Sequence, residues 1–210
     1  MDHLSVSPAA LPQPRIARRT ALKDVPLNLV FFGPPGAGKG TQADLFAARH
    51  RIPKISTGDI LRKAIQDGTR IGAMVRDTLQ SGSLVGDDLI ISIVAERLEQ
   101  PDTAKGFVLD GFPRTIPQAA ALDAMLADRG GVRVVALVVH ADEVIRRLAS
   151  RGREDDDAYV IKERLAVYSR ETEPVLEYYR RRGVVTVLDG NRPLGEVTES
   201  IEEAVKSKRD

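Results

Sequence analysis

The segment at residues 27–42, LNLVFFGPPGAGKGTQ, limits the folds open to this chain more than any other. Its first six residues are mostly apolar and β-prone, which predicts a short buried strand. A glycine-rich loop follows, and from Lys39 onward the apolar residues recur at helical spacing. A strand, a glycine-rich loop and a helix in this order are the setting of a phosphate-binding loop.

The residues of this loop suit a polyphosphate. Gly36, Gly38 and Gly40 lack a Cβ atom, so their amides can converge on phosphate oxygens, and the free N–H groups of the following helix face the same anion. Lys39 adds a positive charge for the β- and γ-phosphates. In the common motif a Ser or Thr that binds Mg²⁺ follows the lysine, whereas here Gly40 stands there and Thr41 comes one residue later. We therefore expect a nucleoside polyphosphate whose Mg²⁺ is held mainly by the nucleotide and water.

Composition excludes several other classes of protein. A length of 210 residues predicts one domain, or one core with small inserts. The net charge of +1 gives no reason to expect nucleic acid or a membrane as a partner. The sequence has no Cys, which excludes disulfides and thiolate zinc sites, and no apolar run of membrane-spanning length.

Residues 1–24 differ in composition from the rest of the chain. Proline and serine are frequent at the start, and four basic residues follow with no acidic residue between Asp2 and Asp24. We expect a disordered leader, or an extension from an upstream start codon, with an organellar transit peptide as the alternative. The segment is too polar for a secretory signal, so we expect a cytoplasmic protein.

A second phosphate-binding candidate is STGDILR, at residues 56–62, which follows a brief predicted strand and opens an amphipathic helix. Arg62 could bind a phosphate with two parallel hydrogen bonds, which lysine does less well. The alternative is ordinary helix capping by Thr57 or Asp59.

A third candidate is GFVLDGFPR, at residues 106–114, in which a buried strand ends at Asp110. In open parallel sheets, ligands bind beyond the carboxyl ends of the strands, near the first phosphate loop. We therefore expect Asp110 to orient Mg²⁺ through water and Arg114 to reach a phosphate. The alternative for Asp110 is helix capping or loop solvation.

The rest of the chain alternates between strand-like and helix-like periods. Strands are expected at 133–140 and 184–188, and helices at 89–99, from 115, at 142–150, at 158–181 with a kink or restart at Pro174, and at 194–206. Glycines divide residues 66–87 into two further helical pieces, a candidate moving flap. This alternation predicts an α/β fold, in which helices flank a parallel sheet of about five strands.

Taken together and in this order, the motifs GPPGAGKGTQ, STGDILR and LDGFPRTIPQA closely resemble those of adenylate kinases, within the nucleoside monophosphate kinase family. The resemblance runs from about residue 27 to the last helix. It implies the strand order 2-3-1-4-5 and a P-loop NTPase-type domain at residues 25–210. It also implies a monophosphate-binding insert at about 56–85 and a lid at about 150–160. The lid is short and lacks the zinc ligands of long-lid members, so no zinc is expected.

The resemblance also implies a set of site residues. The ATP contacts would be Gly36, Ala37, Gly38, Lys39, Gly40, Thr41, Arg147, Arg151 and Arg192. The AMP contacts would be Thr57, Arg62, Ser83, Leu84, Val85, Gly111, Phe112, Pro113, Arg114, Gln118, Arg153 and Arg164, with Thr57 and Gln118 facing the adenine. The implied catalytic residues are Lys39, Arg114, Arg151, Arg153 and Arg164. No residue is expected to bind a metal directly, and Asp110 would reach Mg²⁺ through water.

The implied reaction is the reversible, Mg²⁺-dependent transfer of the terminal phosphoryl group of ATP to AMP, which gives two ADP. Such a transfer requires in-line placement and neutralisation of negative charge, with no covalent enzyme intermediate. A monomer is expected, because flap and lid must swing freely. One departure from the family pattern is Gly86, which stands where proline is usual.

Two alternatives remain. A UMP/CMP kinase is the nearest, although such relatives tend to carry Ala where Thr57 stands and lack the TIPQA continuation. The other is a nucleotide-binding or scaffolding protein that kept the fold without turnover, against which the full set of arginines argues. A GTPase-like switch is disfavoured, because no hydroxyl directly follows Lys39 and no Asn-Lys-x-Asp motif is present.

Overall fold

A computed structural model describes residues 26–151, the last of them by its backbone alone, and residues 157–207. The expected leader at 1–24 and the predicted site residue Arg153 lie outside the described residues, as does the middle of the expected lid.

A parallel sheet of five strands runs through the described residues. The strands are β1 (Leu27–Phe32), β2 (Lys54–Ser56), β3 (Gly106–Asp110), β4 (Arg133–Val138) and β5 (Val185–Asp189). They pair in the order β2-β3-β1-β4-β5, and every pair is parallel. The predicted fold class and the implied strand order are therefore confirmed. The central strand β1 is buried along its whole length, as expected of a strand covered on both faces.

Helices connect and cover these strands. In the described ranges they are α1 (Lys39–His50), α2 (Thr57–Gln66), α3 (Arg70–Gln80), α4 (Asp87–Leu98), α5 (Ile116–Met125), α6 (Ala141–Arg151), α7 (Ala158–Val167), α8 (Glu173–Arg180) and α9 (Leu194–Ser207). A 3-10 turn at Pro101–Thr103 precedes β3, and a π-helical segment at Tyr168–Thr172 separates α7 from α8. Pro174 lies in the first turn of α8, so the α-helix starts again there after the π-helical segment, and the predicted restart within the stretch 158–181 is confirmed.

The hydrophobic core lies on both faces of the sheet, and the alternation along β1 assigns its residues to one side or the other. Leu29 and Phe31 belong to the cluster that α1 and α9 complete, which includes Phe46. Val30 and Phe32 belong to the cluster formed with α4, α5 and α8. The sheet is thus held rigidly between helices, and its carboxyl edge is a fixed platform for the loops that follow the strands.

Two local expectations need correction. Ser56, not Thr57 or Asp59, caps α2, because the Ser56 hydroxyl accepts a hydrogen bond from the Asp59 N–H at 3.2 Å. Between the end of α2 and the start of α4 there is one helix, α3, and it continues through Gly72. A Cβ atom at Gly72 would lie 2.1 Å from the backbone oxygen of Ala64, so glycine serves here for close packing of α2 and α3.

Candidate active site

The loop between β1 and α1 forms one wall of a cleft at the carboxyl edge of the sheet. Gly36 and Gly38 have φ angles of 84° and 90°, in the left-handed region that favours glycine. A Cβ atom at Gly36 would lie 2.9 Å from the Cγ of Leu148, so the loop can pass α6 only without a side chain there. The backbone of this segment therefore requires glycine at the positions the sequence provides.

Lys39 folds back over this loop. Its Nζ atom donates hydrogen bonds to the carbonyl oxygens of Gly33, at 2.7 Å, and Pro34, at 2.9 Å. Lys39 also lines the cleft, which has a volume of about 480 Å³. Its positive charge therefore stands at the N-terminus of α1, where helix amides attract anions.

The cleft brings together most of the predicted phosphate-binding residues. Among its lining residues are Gly36, Gly38, Lys39, Gly40, Thr41, Arg62, Asp110, Gly111, Arg114, Arg147 and Arg164. They come from the phosphate loop, α2, the segment after β3, α6 and α7, so segments far apart in sequence converge on one space. Ala37, which belongs to the loop itself, is buried.

Several guanidinium groups of the cleft are held by neighbouring oxygens. Arg62 donates a hydrogen bond to Asp59, and Nε of Arg114 donates one to the carbonyl oxygen of Gly111 at 2.9 Å. Burial lowers the pKa of Arg114; Asp110 acts against this lowering, and the charge of Arg62 adds to it. Several cationic side chains on one cleft favour the binding of a polyanion there.

Arg147 lies on the phosphate-loop side of the cleft. Its Nε donates to Glu143 at 2.6 Å, and Nη2 donates to the carbonyl oxygen of Gly190 at 3.0 Å. A Cβ atom at Gly38 would lie 3.9 Å from its Nη1. Arg147 therefore links α6 to the turn after β5 while its guanidinium stands over the loop.

A second pocket shares Gly58, Gly111 and Arg114 with the cleft and extends toward α3 and α4. It contains the predicted residues Thr57, Ser83, Leu84, Val85 and Gln118, together with Leu61, Leu79 and Ile90. The Thr57 hydroxyl donates to the carbonyl oxygen of Gly111 at 2.9 Å. Aliphatic walls with a few polar groups at fixed positions are typical of small-molecule binding sites.

The remaining predicted residues occupy other places. Phe112 and Pro113 are buried and, with Arg164, line a small cavity beside Tyr168. Arg192 follows β5, and its guanidinium bonds to Glu196 and Ser200 of α9. The backbone of Arg151 ends α6, and nothing is described of its side chain.

Lys54 also lines the cleft, although it was not among the residues predicted from the sequence. Its Nζ donates to Asp44 at 2.8 Å and to the carbonyl oxygen of Gly40 at 3.3 Å, and it lies 3.9 Å from Asp59. Lys54 joins the first turn of α1 to the first turn of α2. The two-residue period of strands puts its side chain on the same face as Ser56, a signal that could have found it.

Asp110 ends β3, and its Oδ2 lies 3.3 Å from the position that a Cβ atom at Gly40 would take. Within residues 26–151 and 157–207, no group of three or more His, Asp or Glu side chains could hold a metal ion. A lone carboxylate beside a phosphate loop fits a hydrated Mg²⁺ ion, since Mg²⁺ keeps several of its waters.

Among the described residues, every helix is too short or too polar to cross a bilayer.

Comparisons with known proteins agree with one another. The sequence model of the family described as adenylate kinase matches residues 31–184. The chain is 45% identical over 188 residues to an adenylate kinase of Xanthobacter autotrophicus, covering 84% of this chain and 96% of that protein. It is 45% identical over 193 residues to an adenylate kinase of Azorhizobium caulinodans, covering 86% and 100%. It is 46% identical over 182 residues to adenylate kinase 1 of a Nostoc species, covering 86% and 99%.

Proposed function

The chain belongs to the adenylate kinase family, and from this premise we propose how its cleft performs the reaction of that family. The protein is an enzyme that transfers the terminal phosphoryl group of ATP to AMP, reversibly, with two ADP as the products. One observation carries the proposed site. The phosphate loop, three arginines from α2, α7 and the segment after β3, and a pocket with mainly aliphatic walls all adjoin one cleft.

ATP binds on the side of the phosphate loop. The amides of residues 36–41 face the phosphates, and Lys39 exchanges the carbonyl oxygens of Gly33 and Pro34 for phosphate oxygens. Arg147, held by Glu143 and Gly190, lies on the same side. By the family resemblance, Arg151 joins it from the lid when the lid closes, and the turn at 190–192 contacts the adenine. Arg153, outside the described residues, is assigned by the same resemblance to the bridge between the two reacting phosphates.

AMP binds on the side of α2. The pocket lined by Thr57, Val85 and Gln118 receives the base, and Arg62 and Arg114 bind the α-phosphate. Arg62 then exchanges its hydrogen bond to Asp59 for one to the phosphate. The acceptor phosphate would lie between the two arginines, in line with the γ-phosphate on the loop.

The transfer step is a direct displacement in this arrangement. Lys39, Arg114 and Arg164 adjoin the space between the two phosphates, where the negative charge of the transition state is spread over oxygens. Arg164 lines both the cleft and the cavity beside Tyr168, so it can reach across from α7. When bound with ATP, Mg²⁺ supplies further charge neutralisation. Asp110 is the carboxylate that would hold its water shell.

The insert and the lid complete the site by closing. We assign the insert to residues 56–85, which hold α2 and α3, and the lid to about 150–160. Their closure excludes water, which would otherwise hydrolyse ATP. Because both must move against the sheet, we propose a monomer. We place it in the cytoplasm, with an organelle as the alternative.

A coupled assay of ADP formation tests this proposal, with ATP and Mg²⁺ and with AMP, CMP, UMP or GMP as the acceptor. We expect rapid turnover with AMP and little with the other three. Preference for CMP or UMP would contradict the assignment of Thr57 and Gln118 to the adenine and favour a UMP/CMP kinase. Binding of ATP without turnover of any acceptor would favour a protein that kept only the nucleotide site.

A further inference from the structure

Gln118 is a buried amide whose two polar atoms are held by different partners. Its side chain lines the base pocket, and the residue is 2% exposed. Oε1 accepts a hydrogen bond from the Arg114 N–H at 2.8 Å, and Nε2 donates one to Oδ1 of Asp87 at 2.7 Å. A backbone N–H can only donate and a carboxylate can only accept, so these partners fix which way round the amide lies.

Asp87 is itself held in place. It is the first residue of α4, and both of its carboxylate oxygens lie 3.0 Å from the Thr115 hydroxyl. Thr115 in turn caps α5, the helix that carries Gln118. The start of α4 and the start of α5 are therefore joined through Asp87, and the amide has little freedom to rotate.

The orientation of this amide determines what it offers a base. Its nitrogen carries two hydrogens, one of which goes to Asp87, so the other can be donated to a ring nitrogen that accepts. Adenine has such an acceptor at N1, whereas hypoxanthine and guanine carry an N–H at the same position. A flipped amide would present its oxygen there and would suit the N–H of hypoxanthine or guanine instead.

We propose that Asp87 is a positioning residue for base selection: it fixes the amide orientation of Gln118 and so favours adenine over hypoxanthine and guanine. This inference rests on the proposed assignment of the pocket to the monophosphate. It assigns to the start of α4 a role that the phosphate-binding motifs do not contain.

The test compares Asp87→Asn with Asp88→Asn in the full chain, with AMP and IMP as acceptors. Asparagine can present either an oxygen or an NH₂ group to Gln118, so residue 87 no longer selects one orientation and only the Arg114 N–H still favours it. IMP matches AMP in size and differs at position 6 and N1 of the base. Asp88 is exposed in the same first turn of α4, so its variant loses the same charge near the helix N-terminus without touching Gln118.

For Asp87→Asn we expect the KM for AMP to rise about tenfold, and the AMP-to-IMP ratio of kcat/KM to fall about tenfold, the effect of one hydrogen bond. The KM for ATP should stay unchanged, and Asp88→Asn should match the unmodified protein in every constant. Asp87→Glu, which keeps the charge and displaces the carboxylate by one methylene, should move the same ratio in the same direction by less. It serves as the test if Asp87→Asn does not fold.

An AMP-to-IMP ratio that is the same in the Asp87 and Asp88 variants would overturn the inference. An equal loss of kcat with both acceptors would do so too, because it would indicate only a structural role. The variant Gln118→Ala distinguishes a wrong inference about Asp87 from a wrong assignment of the pocket to the base of AMP. If that variant leaves the KM for AMP unchanged, the pocket is not the base site. If it raises this KM while Asp87→Asn leaves the ratio intact, the inference about Asp87 alone is wrong.

Discussion

The ammonium nitrogen of Lys39 lies 2.7 Å from the carbonyl oxygen of Gly33, so the lysine folds back over the loop that precedes it. In this position the charge already stands where the phosphates of ATP are proposed to bind. Binding then requires a change of hydrogen-bond partner, with no large movement of the side chain. Pre-organised charge of this kind is what phosphoryl transfer requires of a protein.

Replacing Lys39 by methionine keeps the length of the side chain and removes its charge. We expect kcat to fall by a factor of about 10² to 10³, as on removal of one pre-organised donor from a transition state. The matched control is Lys63→Met, since Lys63 is an exposed lysine of α2 that pairs with Asp67 at 2.9 Å. Steady-state assays should show nearly full activity for the control. A Lys39→Met enzyme that retained most of its kcat would exclude the proposed role.

Arg164 and Arg170 give a second matched pair. Arg164 lines the cleft, whereas Arg170 is exposed on the π-helical segment and pairs with Glu171 at 2.9 Å. Arg164→Ala should lower kcat by a factor of about 10² or more, because a cation is lost beside the proposed position of the transferring group. Arg170→Ala should leave the kinetics nearly unchanged. An equal decrease in kcat in the two variants would indicate that kcat depends on the overall charge of the protein and not on the position of Arg164.

Gly72→Ala should loosen the contact between α2 and α3. A Cβ atom there would lie 2.1 Å from the backbone oxygen of Ala64, so the helices must separate, at a cost of about 1–3 kcal/mol. The KM for AMP should rise more than the KM for ATP, because α2 carries Thr57 and Arg62. Both effects are measurable by denaturant unfolding and steady-state kinetics.

Gly195→Ala is the control for this variant, because Gly195 also lies in a helix, α9. Apart from its chain neighbours and the backbone of its own helix, none of the described atoms lies within 4 Å of the position its Cβ would take. Alanine there should stabilise the protein by about 0.5–1 kcal/mol, the difference in helix propensity. If both substitutions stabilised the protein, the close packing at Gly72 would be refuted.

The pH dependence of stability should include a contribution from Glu143. Hydrogen bonds from Arg146 and Arg147 lower the pKa of this carboxyl from 4.5 to about 2. The folded-state pKa lies below the unfolded one, so the contribution is complete above pH 4.5 and disappears as the pH falls toward about 2. The melting temperatures of the unmodified protein and of Glu143→Gln should therefore differ most above pH 4.5 and become equal as the pH falls toward about 2.

The control for this measurement is Glu199→Gln, which removes the charge of an exposed glutamate of α9. Its melting temperature should follow that of the unmodified protein at every pH. A gap between the unmodified protein and Glu143→Gln that stayed constant down to pH 2 would mean that the effect of Glu143 is not electrostatic.

The sequence predicted the parts of the site that depend on local pattern. The loop at 33–42 could be read directly, because a strand, glycines and a helix follow one another without a gap in the chain. The arginines of the cleft were identified through family motifs in the same way. The restart of the helix at Pro174 followed from the missing N–H of proline.

The sequence did not predict contacts that arise only when distant elements pack. Lys54 reaches Asp44 and Gly40 across two elements, and Asp87 meets Gln118 from a different helix. Gly72 suggested a helix end from local propensity, whereas α3 runs through it and the close approach of α2 is what requires glycine there. These contacts were not predicted for one reason: the partner of each residue belongs to a different helix or strand and is brought close only by the tertiary structure.

The most direct test of the account is the stereochemistry of the transfer. ATP whose γ-phosphorus is made chiral with oxygen isotopes would be incubated with AMP, and the configuration of the transferred group in ADP would be measured. Direct displacement between two nucleotides in one cleft predicts inversion at phosphorus. Retention would contradict the account, because it would require a phosphorylated enzyme intermediate and a nucleophile that the proposed mechanism does not contain.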